Sequence, residues 1–302
     1  MTKRGWVLFW AMACIWGVPY FFISVAVDEL EPSVVVFGRT ALAAAVLLTL
    51  AARSGDLRQA LPHWRPIAAF GILEMAIPWI LLTTAEQHLA SGLAALIISS
   101  VPIFGALAAF ALGDRSALRP IRLAGIALGV GGVSLLVGND LRGDGAPPWW
   151  SVAFVIVVCV CYATAPFIIS RRLADVPSMG VIAMSLTIVG LIYAPIAAVS
   201  LPDEMPSMKA TWSVVALALV CTGLAFVVFF RLIEEIGAAR ATVITFVNPV
   251  VAVALGAVFL DEPFTMAIVV GFVLVISGCW LATRPAPAPA DELAPEGLAV
   301  GS

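Results

Sequence analysis

The chain has 302 residues, 62% of them hydrophobic and 12% charged, and a net charge of −3; its mean hydropathy is +1.07. Soluble domains run about 45–50% apolar and about 25% charged, so these values exclude a soluble fold and predict a polytopic membrane protein. The small net charge decides nothing, because orientation in a membrane follows the distribution of Lys and Arg among the loops.

In chain order, apolar runs predict spans over 5–27, 33–52, 66–86, 92–112 and 121–137, then 149–170, 178–199, 212–233, 238–260 and 264–283. Runs of this length predict helices, since a β-barrel span needs only about half as many residues and a helix bonds its own backbone. The first run follows Lys3 and Arg4 with no clear small-residue cleavage site, so it is expected to be a retained helix. With a cytoplasmic amino terminus, thirteen Lys and Arg fall in inside segments and only Arg142 and Lys209 outside, which predicts both termini in the cytoplasm. Residues 285–302, rich in Pro and Ala, are expected to be a disordered cytoplasmic tail.

The five cysteines all lie inside apolar runs, and of the two histidines His63 lies in a loop and His88 near a helix end. Neither disulfide nor metal site is expected, no cofactor is called for, and a membrane enzyme lacks the nucleophile and base it would need.

The stretch Ala90 to Arg115 recurs 147 positions later as Gly237 to Glu262, which sets Pro249 on Pro102 and Asp261 on Asp114; Cys14 likewise meets Cys161, and Pro19 meets Pro166. Five spans per copy is an odd number, so the second copy must enter from the opposite side. The fold expected is therefore all-α, ten transmembrane helices as two five-helix inverted-topology repeats, residues 1–144 and 145–284. In secondary transporters of this build the site lies near the midplane between the repeats.

Several residues are candidates for that site. Gly17 and Tyr20 share a face of helix 1, Trp79 and Thr83 a face of helix 3, and Tyr162 lies on helix 6. Ser99 and Pro102 on helix 4, and Thr245, Asn248 and Pro249 on helix 9, put small and polar groups where each proline frees the carbonyl four residues back. A serine in a span more often bonds its own helix than a ligand, and this second reading stands beside the first for Ser99. Glu74 lies about nine residues, roughly 13 Å, into helix 3, near the middle of a core about 30 Å thick, where an ionisable group is a functional candidate. Arg39 is its expected partner, either in a structural ion pair or leaving Glu74 to bind a substrate amine or carry a proton.

The Trp-Gly-Val-Pro-Tyr-Phe-Phe at residues 16–22, the Pro-Ser-x(3)-Phe-x-Arg at 32–39, the run ending helix 4 at Asp114, and Phe-Leu-Asp-Glu-Pro followed by Gly271 and Gly278 resemble the drug/metabolite transporter superfamily, EamA type. Within it the chain is similar to bacterial amino-acid exporters of the YddG type. Asp114 stands where members often carry Glu, a conservative departure. The resemblance covers nearly all of residues 5–284 and implies a central cavity walled by helices 1, 3, 4, 6, 8 and 9, with helices 5 and 10 bracing the back.

Aromatic and apolar walls with few charges suit a small amphipathic solute and not a polyphosphate. The expectation is export of amino acids, aromatic or other apolar ones favoured, across a bacterial inner membrane by alternating access. A broader drug or sugar-derivative permease and a non-transporting sensor or scaffold are the alternatives. The partners expected are a small-molecule substrate and the lipid bilayer, with no nucleic acid and no obligate protein partner.

Overall fold

A backbone in hydrocarbon has to bond itself, and the apolar runs do so as helices. The computed structural model describes residues 2–111, 113, 119–140, 146–237 and 241–283. No strand occurs among them. The boundary between residues 144 and 145, Asp114 and the tail at 285–302 lie outside the described residues.

The helices are α1 (Lys3–Gly17), α2 (Pro19–Val27), α3 (Pro32–Ser54), α4 (Asp56–Ala60), α5 (Trp64–Gly71), α6 (Ile77–Ala85), α7 (Ser91–Ile98), α8 (Val101–Ala111), α9 (Pro120–Asp140), α10 (Trp149–Arg172), α11 (Ser178–Val199), α12 (Met208–Ala218), α13 (Ala225–Ile236), α14 (Asn248–Phe259) and α15 (Met266–Ala282). Joined across short irregularities, they give eight apolar helical segments of 18 residues or more among the described residues, with two shorter ones at Val243–Phe259 and Met266–Ala282. Their surfaces expose large apolar side chains, such as Leu191 at 70% and Val258 at 68%, as a lipid-facing surface does.

The irregularities follow local chemistry. Pro19 separates α1 from α2 at Val18, and Gly55 ends α3 in the left-handed conformation at φ 84°. Pro102 and Pro249 cannot donate a backbone bond, and the helices break just before them, at Ser99–Ser100 and at Val247. The second break follows a 3₁₀ stretch at Thr242–Phe246.

Helix pairs pack in a regular order. α9 runs along α15, α3 along α11 and α7 against α14; α6 packs on α10, α2 on α12, and α1 on α13. The α9–α15 approach depends on glycine: a Cβ at Gly278 would lie 2.5 Å from the Gly129 nitrogen and 2.7 Å from the Gly125 oxygen. Small residues let two backbones meet this closely where lipid offers no hydrophobic drive. The five cysteines are free.

Candidate functional site

Between α5 and α6 the chain makes a π turn at Ile72–Ala76, and between α12 and α13 it makes another at Leu219–Leu224. The two begin 147 positions apart, the spacing of the sequence repeat. A π turn carries a surplus residue and leaves carbonyls without their regular donors, which is why such turns gather at functional sites. Here side chains answer them. Tyr193 Oη donates to the Ala76 carbonyl at 2.9 Å, and Thr222 Oγ1 donates to the Leu217 carbonyl at 2.8 Å.

Thr222 does a second job. Arg39 Nε, from α3, donates to Thr222 Oγ1 at 2.9 Å, so the guanidinium, the hydroxyl and the Leu217 carbonyl form one chain of bonds. The Arg39 guanidinium carbon lies 3.7 Å from the centroid of the Trp79 ring, a distance at which a cation is held by the ring face. Arg39 is 8% exposed and Trp79 6%. Tyr20 on α2 and Tyr162 on α10 are half-buried beside them, each within electrostatic reach of Arg39. Thr83 is buried one turn along α6 from Trp79.

Five expected residues thus converge: Tyr20, Arg39, Trp79, Thr83 and Tyr162. Glu74 sits in the first π turn, half-buried, and its electrostatic neighbours are Cys161 and Tyr162 of α10. The expected Arg39–Glu74 ion pair is not formed. Arg39 is turned instead to Thr222, because the second π turn presents a hydroxyl to α3.

The remaining candidates lace helices together. With its amide nitrogen facing two carbonyls, Asn248 donates to Ile244 O at 2.9 Å and to Ala13 O at 3.0 Å, tying α14 to α1. Gly17 is buried at the same seam, where a Cβ would meet Val251 Cβ at 2.4 Å and the Asn248 oxygen at 2.8 Å. Pro249 is buried there too, and Thr245 is half-buried in the 3₁₀ stretch. Ser99 donates to Leu96 O at 2.6 Å in its own helix, the back-bonding alternative, while its carbonyl accepts from Cys279 Sγ at 3.3 Å. Pro102 is half-buried just past the break.

Three groups the sequence reading did not select join this region. Thr222 is one. Glu86, just past α6, is 4% exposed, and neither carboxylate oxygen has a hydrogen-bond partner; Tyr20, Arg39 and Glu262 are its electrostatic neighbours. Glu262 accepts from Ser91 N at 2.6 Å and Gly92 N at 3.0 Å, so it caps α7 from the far copy. The Asp-Glu-Pro turn makes this possible: Asp261 takes φ 52°, tolerable for Asp, and swings Glu262 back. Gly256 leaves room for it, since a Cβ there would lie 2.2 Å from Glu262 Oε2.

A family model described as the EamA-like transporter family matches residues 3–138 and again 149–284. The chain belongs to the EamA-like transporter family. An inner membrane transporter of Escherichia coli (strain K12), YedA, named as uncharacterized, is 31% identical over 252 residues, covering 82% of this chain and 79% of its own. A protein of Streptantibioticus cattleyicolor named a probable terminal-alkyne amino-acid exporter is 25% identical over 286 residues, 94% of each chain. One solved crystal structure matches with a TM-score of 0.65 at 22% identity over 94% of this chain and 97% of its own, a likeness of fold. The chain is therefore a membrane transporter of this family, and the two relatives described above bear the names of a transporter and an exporter.

Proposed function

We propose that this EamA-family chain is a secondary transporter that exports amino acids and related small metabolites across a bacterial inner membrane by alternating access. It does so through ten spans in two inverted five-helix repeats, residues 1–144 and 145–284, with both termini in the cytoplasm. The observation that carries the reading is the buried Arg39 held between Trp79 and Thr222, with Tyr20 and Tyr162 beside it. One cation among aromatic rings suits a small solute with an anionic group and an apolar part.

The packing supports the two-fold build. Under the 147-residue offset α9 is equivalent to α15 and α3 to α11, and the two members of each pair pack on each other. The α6–α10 contact has its counterpart in α13 against α1. Cytoplasmic termini follow from thirteen inside basic residues against two outside. The exporter name borne by one relative over 94% of both chains favours amino acids within the family's range.

Purified protein in liposomes loaded with an unlabelled apolar amino acid is expected to show saturable counterflow of the labelled one. Absence of saturable counterflow with any amino acid would remove the amino-acid reading, and counterflow only with cationic drugs would replace it.

A further inference from the structure

Glu86 and Arg39 share an unusual condition. Glu86 is 4% exposed with both carboxylate oxygens unpartnered. Arg39 is 8% exposed and makes a single hydrogen bond, through Nε, among the described residues. That leaves the four N–H groups on its terminal nitrogens unused. The two opposite charges lie within electrostatic reach of each other, yet no ion pair joins them.

Their placement is not accidental to the helix. Glu86 is seven residues past Trp79, two turns, so both lie on one face of α6 and its last turn, about 10 Å apart along the axis. Trp79 carries the guanidinium on its ring. Tyr20 on α2 lies within electrostatic reach of both charges. Glu262, the remaining acidic neighbour, has its oxygens engaged by the α7 amides.

A buried charge whose hydrogen-bonding capacity goes unused is costly, and an opposite charge nearby offsets this only when the two are joined. A proton on Glu86 neutralises the carboxylate but does nothing for the guanidinium fork. What satisfies both is a carboxylate for Arg39 and an ammonium for Glu86, carried together on a small molecule. We propose that Arg39 and Glu86 are the two poles of a site for an α-amino acid zwitterion, Arg39 taking the carboxylate and Glu86 the ammonium, with Tyr20, Trp79 and Tyr162 around the side chain. This rests on the amino-acid reading above and assigns to Glu86 a role in selecting substrate.

The test is competition in the counterflow assay, with L-phenylalanine against 3-phenylpropanoate, which lacks the ammonium, and against phenylalaninamide, which lacks the carboxylate. A site built to bond both groups rejects each analogue strongly, by roughly 100-fold or more. Glu86→Gln is expected to lose at least about tenfold of the preference over 3-phenylpropanoate while keeping that over the amide, and Arg39→Gln the reverse. Should Arg39→Gln fail to fold, the wild-type preference over the amide carries that half of the test. If amino acids are carried but wild type does not discriminate, or Glu86→Gln leaves both ratios unchanged and alters only the pH profile, the two-pole site is overturned. If wild type carries no amino acid, the proposed function falls first and the site with it.

Discussion

Replacing Thr222 with valine removes one hydroxyl and keeps the side-chain volume, so the change tests bonds without opening a cavity. Two bonds go: the one from Arg39 Nε at 2.9 Å and the one to the Leu217 carbonyl at 2.8 Å. A bond to a charged group contributes about 1.5–3 kcal/mol in soluble proteins, and a neutral one about 1 kcal/mol. In membranes neutral pairs average nearer 0.6 kcal/mol and reach about 1.7, because the unfolded chain also finds partners. Thr222 is fully buried and the Arg39 bond is charge-assisted, so its share belongs at the upper end, about 1.5 kcal/mol. A double-mutant cycle with Arg39→Met isolates it from the Trp79 stacking that the arginine change also removes. The assay is reversible unfolding in mixed micelles with rising dodecyl sulfate, followed by tryptophan fluorescence. Thr222→Ser retains the hydroxyl and should retain most of the coupling. A coupling energy below about 0.5 kcal/mol would show that Arg39 does not depend on Thr222 and would refute the chain of bonds drawn here.

Two further outcomes are expected. Gly278→Ala places a Cβ 2.5 Å from a backbone nitrogen that cannot yield, and should cost about 1–3 kcal/mol in the same unfolding assay, whereas Gly131→Ala points into open space and should cost nothing. Glu29, in the turn between α2 and α3, accepts from Ser207 Oγ at 2.6 Å and Ser207 N at 2.7 Å, and these bonds hold its carboxyl below the ordinary value of 4.5. Because the folded value is the lower one, the unfolded chain binds the extra proton. The stabilisation is therefore present above 4.5 and is lost as pH falls below it. The melting-temperature gap between wild type and Glu29→Gln should shrink on acidification from about pH 6 to about pH 3, and a constant gap would contradict the assignment.

The helical character of the apolar runs was legible because a backbone in a run of that length bonds itself as a helix. The breaks at Ser99–Ser100 and Val247 were legible from Pro102 and Pro249 for the same kind of reason, a missing donor. The π turns were not. A surplus residue leaves no compositional mark: at equal positions one turn holds Glu74 and the other Cys221, and only the structure shows that both helices widen there. The partner of Arg39 was misjudged because depth along a span can be counted in residues, while the direction a side chain faces depends on which helix lies alongside. Counting set Glu74 at a suitable depth; packing of α3 on α12 and the second π turn supplied Thr222. Asn248 and Ser99 read as ligand groups because they are polar in apolar surroundings, yet the nearest polar groups to satisfy were backbone carbonyls. Glu86 was not singled out, because its burial comes from neighbours distant in sequence, Arg39 and Glu262 among them.

The two helix breaks are fastened unequally. At Val247 an amide spans the gap to α1 with a bond of 3.0 Å. At Ser99–Ser100 the bonds from other helices are thiols, Cys159 Sγ to Ile97 O at 3.5 Å and Cys279 Sγ to Ser99 O at 3.3 Å. Thiols are weak donors and give up an acceptor cheaply. A corner bends at the cost of the fastenings it must release, so the corner between α7 and α8 is the softer spring and the one before α14 the stiffer. Two copies of one architecture thereby acquire different compliance, and any rocking motion would be taken up first on the side that cysteine holds.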